Sequence, residues 1–370
     1  MRIVTDIYNA LHLRKSGRLL TSQTDGIGYR QGDKTDMLAP IQTNDRPVHN
    51  KKIMGFRLPG KRWFKRLFWS LAVIFLLMNF VAFCHAYRFT HFSSGQGTRP
   101  DVDELSIPQI VKMLFLGIDN PRPMNNLWPG RAFATVKLYS HKKLECWSIK
   151  IPNPKGTVVF FHGYGGQKSF MLDKSEEFLR MGYNTLLVDF MGCGGSQGNQ
   201  TTVGFKEAED VKAAYDYLTL NGVKNIYFYG TSMGSVAILK AIHDYCIEPA
   251  GIMIECPFAS LYQTTAIRFE AKHFPTVPFV GMMLFWGSVQ NGFWAFSHKP
   301  TEYAKDVYVP TLLLYGEKDE RVSRWEIDAI FANLPGKKKL VTYPEAGHEN
   351  YLNHYKKEWL ADVRAFIQQE

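Results

Sequence analysis

Ser232 stands between Gly230 and Gly234 in the run Gly230-Thr231-Ser232-Met233-Gly234, where a strand-like stretch, Asn225 to Tyr229, gives way to a helix-like one opening at Met233. A turn that tight strains the backbone and pushes the serine hydroxyl outward. Glycines two residues to either side admit neighbouring backbone without a Cβ clash. A hydroxyl so presented suits nucleophilic attack on an acyl carbon. A G-x-S-x-G run also arises by chance as a plain small-residue turn, so its meaning rests on three other segments. The β-branched and aromatic run Thr157 to Phe161 ends in His162-Gly163-Tyr164-Gly165-Gly166. The NH groups of Tyr164 and Met233 are the two candidate oxyanion donors, each such donor being worth about 3 kcal/mol of barrier. The apolar run Thr311 to Tyr315 leads into Gly316-Glu317-Lys318-Asp319-Glu320. Asp319 is the expected acid, with Glu317 and Glu320 left open as alternatives. Beyond Leu340 to Tyr343, a loop from Pro344 to Asn350 carries His348. This is the expected general base, taking the Ser232 proton and returning it to the leaving group while Asp319 holds the other ring nitrogen. Such a base predicts activity that falls on acidification near about pH 6.5, the ordinary imidazole range.

The elements that must position these residues follow from hydrophobic period and from breakers. Two antiparallel strands are expected at Ala132 to Tyr139 and Leu144 to Ile151, followed by Thr157 to Phe161, Thr185 to Phe190, Asn225 to Tyr229, Gly251 to Glu255, Thr311 to Tyr315 and Leu340 to Tyr343. Amphipathic helices lie between most of them, for example Lys206 to Leu220. Near-continuous apolar strands separated by helices predict an α/β fold, a mostly parallel, doubly wound sheet covered on both faces. Ligands in such sheets bind beyond the carboxyl ends of the strands, and Ser232, Asp319 and His348 all fall there. The connection from Cys256 to Pro310 is too long for a simple crossover and is expected to form a helical cap, about residues 257–310, interrupted at Pro275, Pro278, Gly281, Gly287 and Gly292. Phe258, Trp286 and Trp294 are the expected substrate-facing rings, suited to an apolar acyl or aryl group. Ordinary core packing is the alternative for any one of them.

Taken together, the motifs H-G-Y-G-G, D-F-M-G-C-G-G-S, G-T-S-M-G, G-E-K-D and G-H-E make the region from about Leu138 to the C-terminus resemble the α/β-hydrolase superfamily. Within it, the chain is most similar to single-pass bud-emergence-type, monoacylglycerol-lipase-like and serine aminopeptidase-like hydrolases. The resemblance implies Ser232, Asp319 and His348 as a catalytic triad with Tyr164 and Met233 at the oxyanion hole. It makes Asp189, with Gly192, Gly194, Gly195 and Ser196, a structural loop and not a second acid. A serine nucleophile and the residues after His162-Gly163 set the chain apart from the dehalogenase and epoxide hydrolase branches. The implied activity is hydrolysis of a carboxylic ester or thioester through an acyl-enzyme, with no cofactor and no metal. Two alternatives stay open. One is an aminopeptidase-like amide hydrolase, with Glu255 as the candidate partner of a free amine. The other is a non-catalytic scaffold acting as a binding module.

Upstream, the uncharged run Leu67 to Tyr87 spans 21 residues, about 31 Å as a helix, against a bilayer core of about 30 Å. Lys61, Arg62, Lys65 and Arg66 precede it and only Arg88 follows closely. The positive-inside rule therefore predicts a cytoplasmic N-terminus and a hydrolase on the extracytoplasmic side, in a periplasm or lumen. A cleaved signal peptide is the rival reading, with Cys84-His85-Ala86 a weak cleavage site. The expected organisation is a basic, disordered tail over 1–66, the span over 67–87, a lead-in over 88–130 and the hydrolase over 131–370. The chain's net charge is +10, and Met1 to Arg66 hold 14 Lys and Arg against 5 Asp. Nearly all the positive charge is thus in the tail, which leaves the catalytic region without an electrostatic footprint for nucleic acid. The expected partners are a small, lipid-like acyl substrate and the membrane. The five cysteines, Cys84, Cys146, Cys193, Cys246 and Cys256, match no zinc spacing.

Overall fold

A computed structural model of the chain describes residues 60–94, 106–271 and 273–368; most of the expected basic tail lies outside the described residues. Two compact units divide after Ser70. In the first, the described residues from Lys61 onward are helical and expose Trp63, Phe64, Phe68 and Trp69. The helix α1 runs over Lys61–Thr90, longer at both ends than the expected span. Among the described helices it is long and apolar enough to cross a membrane by length and composition.

The second unit begins at Leu71 and is built on an eight-stranded sheet in the order β1-β2-β4-β3-β5-β6-β7-β8. The strands are β1 (Ala134–Tyr139), β2 (Lys143–Ile149), β3 (Thr157–Phe161), β4 (Asn184–Asp189), β5 (Ile226–Thr231), β6 (Gly251–Glu255), β7 (Thr311–Gly316) and β8 (Lys338–Tyr343). The first two are antiparallel, and β3 to β8 pair in parallel. Helices α2 (Ile107–Leu116), α3 (Leu172–Arg180), α4 (Glu207–Leu220), α5 (Met233–Tyr245), α6 (Leu261–Glu270), α7 (Phe279–Asn291), α8 (Pro300–Tyr303), α9 (Arg324–Asn333), α10 (Tyr351–His354) and α11 (Lys356–Gln368) follow in chain order.

The apolar runs read from the sequence become the middle of the sheet. β3, β6 and β7 are buried at every position, while β1 is an exposed edge. One face packs Val159, Phe161, Phe228 and Ile254 against Val211, Val236 and Leu239 of α4 and α5. The other packs Phe160, Tyr229 and Leu314 against Phe178 of α3 and Trp359 and Val363 of α11. β8 starts earlier than expected, at Lys338, which pairs with Thr311 of β7 while its Nζ donates to the carbonyls of Phe331 and Leu334 at the end of α9 at 2.6 and 2.7 Å. The cap also differs from the expectation at two glycines. α7 runs unbroken through Gly281 and Gly287 and stops only at Gly292, whose φ of +64° ends it. A helical glycine costs about 1 kcal/mol, which the burial of Val280 and Leu284 on the same helix outweighs.

Candidate active site

The nucleophile turn is strained where the sequence requires it. Ser232 has φ 53° and ψ −110°, between β5 and the start of α5, a backbone state costing about 1–3 kcal/mol that surrounding contacts must hold. They do so through backbone. The Ser232 NH donates to the Glu255 carbonyl at 2.8 Å, and the Ser235 hydroxyl donates to the carbonyls of Gly230 and Glu255, each at 2.8 Å. A Cβ on Gly234 would stand 2.2 Å from the Phe161 carbonyl oxygen, and one on Gly230 would stand 2.6 Å from the Ser235 nitrogen. Both glycines are there because the elements meet too closely for any side chain.

Asp319 follows β7, its NH donating to the Gly316 carbonyl at 3.1 Å. Its Oδ1 accepts from the backbone NH groups of Arg321 and Val322 at 2.7 and 2.9 Å. Its Oδ2 accepts from His348 Nδ1 at 2.7 Å. The other ring nitrogen, Nε2, lies 3.2 Å from Ser232 Oγ. This assigns the proton to Nδ1 and leaves Nε2 to accept the serine hydroxyl hydrogen. Gly316 explains how the histidine loop gets there, since a Cβ on it would stand 2.5 Å from the Ala346 carbonyl oxygen. The loop crosses directly over the end of β7. The alternative acids Glu317 and Glu320 are exposed, and Glu317 faces Arg324 at 3.8 Å.

Cys256, the residue after β6, completes the cluster: its sulfur and the donor atoms of Asp319 and His348 lie within 4.8 Å of one another. Burial disfavours a charged His348 ring, but the Cys256 sulfur and the Asp319 carboxylate outweigh it and push the ring up to about 10. That direction puts the expected titration above the ordinary imidazole value of about 6.5. From the sequence, Cys256 is expected near the site but as small buried packing, and its place beside His348 comes from the fold.

At the oxyanion side, Gly163 lies against the nucleophile, with a Cβ on it 3.6 Å from Ser232 Cβ. Met233 is the first residue of α5, so its NH has no intrahelical acceptor. The loop bearing Tyr164 is braced from both sides. His162 is buried and kept neutral by that burial; its Nε2 accepts from the Phe190 NH at 3.2 Å and its Nδ1 donates to the Gly163 carbonyl at 2.8 Å. The Tyr164 ring stacks on Phe89 of α1 with centroids 4.7 Å apart, and its hydroxyl donates to the Phe89 carbonyl at 2.7 Å. This link across 75 positions had no sequence signal.

Three expected substrate rings are elsewhere. Phe258 is buried edge-on to His298 at 5.8 Å. Trp286 donates its Nε1–H to Asn79 Oδ1 of α1 at 3.2 Å and packs edge-on to Phe83. Trp294 is 55% exposed. None of them lines the apolar pocket walled by Ala86, Phe89, Leu261, Met283, Leu284 and Phe293, among others. Glu255 does not offer a carboxylate to a free amine: it is buried against Lys174 Nζ at 3.2 Å and accepts from the Tyr229 and Thr231 hydroxyls. Asp189 is likewise engaged. It is fully buried, paired with the equally buried Lys168, and accepts from Asn125 and the Gly195 NH.

Comparison with known proteins agrees with this architecture. The family profile described as serine aminopeptidase, S33, matches residues 152–289. A Pyrococcus furiosus esterase, Pf2001, superposes with a TM-score of 0.56 at 26% identity, covering 67% of this chain and 98% of its own. Two curated relatives match at 24% identity. An uncharacterized protein of Bacillus subtilis, YqkD, aligns over 221 residues, 59% of this chain and 72% of its own length. An uncharacterized membrane protein of Saccharomyces cerevisiae, YNL320W, aligns over 223 residues, 58% and 72%. The chain has the α/β-hydrolase fold. Within that class, its likeness is to the serine aminopeptidase-like hydrolases and to esterases.

Proposed function

We propose that the protein is a membrane-anchored serine hydrolase that cleaves a carboxylic ester or thioester through an acyl-enzyme. The observation that carries this reading is the unbroken line from Ser232 Oγ through His348 to Asp319, with gaps of 3.2 and 2.7 Å. Ser232 attacks the acyl carbonyl as His348 Nε2 takes its proton. The Met233 and Tyr164 NH groups stabilise the oxyanion, and His348 then protonates the leaving group. Water repeats the sequence on the acyl-enzyme to release the acid. An ester is favoured over an amide because Glu255, the candidate anchor for a peptide amine, is committed to Lys174. The apolar helix and the yeast relative named as a membrane protein support the anchor. The cluster Lys61, Arg62, Lys65 and Arg66 supports a cytoplasmic N-terminus with the hydrolase on the opposite side.

Labelling with a fluorophosphonate tests the nucleophile. Wild type should label, and Ser232→Ala should lose the label and several orders of magnitude in turnover while keeping its thermal unfolding profile. Undiminished labelling of Ser232→Ala would refute the assignment, and a folded wild type that neither labels nor hydrolyses any acyl ester would favour the scaffold reading.

A further inference from the structure

The C-terminal half of α1 is bound into the hydrolase. Ala82, Ala86 and Thr90 form its buried face at four-residue spacing, and α7 reaches α1 through side chains. Polar bonds fix that approach at three heights. Trp286 bonds Asn79 at 3.2 Å, Gln290 Nε2 donates to the Phe83 carbonyl at 2.9 Å, and Asn291 Nδ2 donates to Thr90 Oγ1 at 3.1 Å. On its other sides the same helix exposes Leu71, Val73, Ile74, Phe75 and Leu76. A seam between α1 and α7 therefore leads from a surface that only lipid would solvate into the protein.

At the inner end of that seam is the apolar pocket, in which Ala86, Phe89 and Thr90 of α1 face Met283, Leu284 and Gly287 of α7. Two of its lining residues, Phe89 and Val203, connect it to the candidate oxyanion residues Tyr164 and Met233. Phe89 carries the ring and hydroxyl of Tyr164, and Gly204, next to the pocket residue Val203, packs against Met233, a Cβ on it standing 3.1 Å from the Met233 carbonyl oxygen. The free space is about 30 Å³, enough for only a few methylenes. A longer chain must move the unbranched, flexible Met283, a side chain suited to giving way.

We infer that the substrate is a membrane-resident acyl ester whose chain enters between α1 and α7 and lodges against Ala86 and Phe89, so that the anchor helix is itself a wall of the acyl site. The inference rests on the serine hydrolase reading and adds its substrate class and route of entry. The polar end of α1, where Arg88 pairs with Asp119, marks the depth at which chain gives way to ester. At that depth a bilayer amphiphile presents its carbonyl to Ser232 without leaving the membrane.

Gly287 allows a clean test, since a Cβ built on it meets no atom within 4 Å and a larger side chain grows into the pocket without moving backbone. With the full chain in lipid vesicles, kcat/KM is measured for p-nitrophenyl acetate and p-nitrophenyl decanoate. Gly287→Leu should lower the decanoate-to-acetate ratio at least tenfold, and Ala86→Leu, filling the same space from the α1 side, should do the same. Leu76→Trp, on the exposed side of α1, should leave the ratio within twofold of wild type. A ratio unchanged in whichever pocket variant folds, or lowered equally by Leu76→Trp, would overturn the inference while Ser232-dependent acetate hydrolysis kept the hydrolase reading intact. Absence of Ser232-dependent hydrolysis in wild type would overturn both.

Discussion

His348 works between partners that raise its proton affinity, the Cys256 sulfur and the Asp319 carboxylate, against a burial that would lower it. Only the unprotonated ring accepts the Ser232 proton, so a raised value leaves less active base at neutral pH. The sign is thus fixed: kcat/KM should climb with pH, and its half-maximum should lie above the ordinary imidazole value of about 6.5. Removing a partner should move that midpoint down. Cys256→Ala should shift it toward 6.5, and Asp319→Asn should shift it down while cutting turnover by about 10⁴ through loss of the correct tautomer. A pH–rate profile of a chromogenic ester on the three proteins checks this, and a wild-type midpoint at or below 6.5 would contradict the role given to Cys256. The same scale explains why Asp189 is no second acid, since its oxygens are committed to Lys168, Asn125 and backbone NH groups.

Elements act on the site through close backbone approach. β3, β5 and α5 converge at the nucleophile turn, and Gly234 is the contact point, with no room between its Cα and the Phe161 carbonyl. Gly234→Ala must push α5 away from β3 and carry Ser232 with it. The expected outcome is a loss of stability of about 1–3 kcal/mol, as for overpacking, with phosphonate labelling falling at least a hundredfold in the protein that remains folded. Gly281→Ala is the matched control. It sits in α7 with open space around its Cβ, and it should hold or raise stability because alanine is the better helix former. Thermal unfolding and labelling rate on both variants decide the point; equal behaviour would show that the turn tolerates a side chain. The cap is tied to the sheet side by another buried group, His298, whose Nε2 donates to the Val203 carbonyl at 3.0 Å and whose burial pushes it down to about 3.

For the whole molecule, the decisive property is the apolar surface that remains exposed. α1 presents aromatic and aliphatic side chains along most of its length, and α2 adds Ile107, Val111, Leu114 and Phe115. Exposed apolar side chains of this kind suit the membrane anchor proposed above. The full chain should therefore stay in the membrane pellet after alkaline carbonate extraction. Orientation has its own probe in Cys246, which is free and exposed while Cys146, Cys193 and Cys256 are buried. A membrane-impermeant maleimide should label Cys246 in sealed vesicles only when applied from the extracytoplasmic side. Labelling from the cytoplasmic side alone would invert the topology.

The parts of this protein that chain-local physics controls were legible in its sequence. Strand runs such as Thr157 to Phe161 and Gly251 to Glu255 appear with the same bounds in the structure, because a strand buried on both faces is nearly continuously apolar. The serine turn and the order of serine, acid and histidine were legible for a similar reason, since tight turns at strand ends demand particular residues. Choosing Asp319 over Glu317 and Glu320 took tertiary structure. So did locating Cys256 beside His348, and sending Trp286 to Asn79 instead of to substrate. An aromatic ring in a cap gains nearly the same free energy against core, anchor helix or ligand, because burial of apolar area has no direction. Which surface it meets is decided only when elements distant in the chain are brought together, as α1 and α7 are by bonds spanning 207 positions.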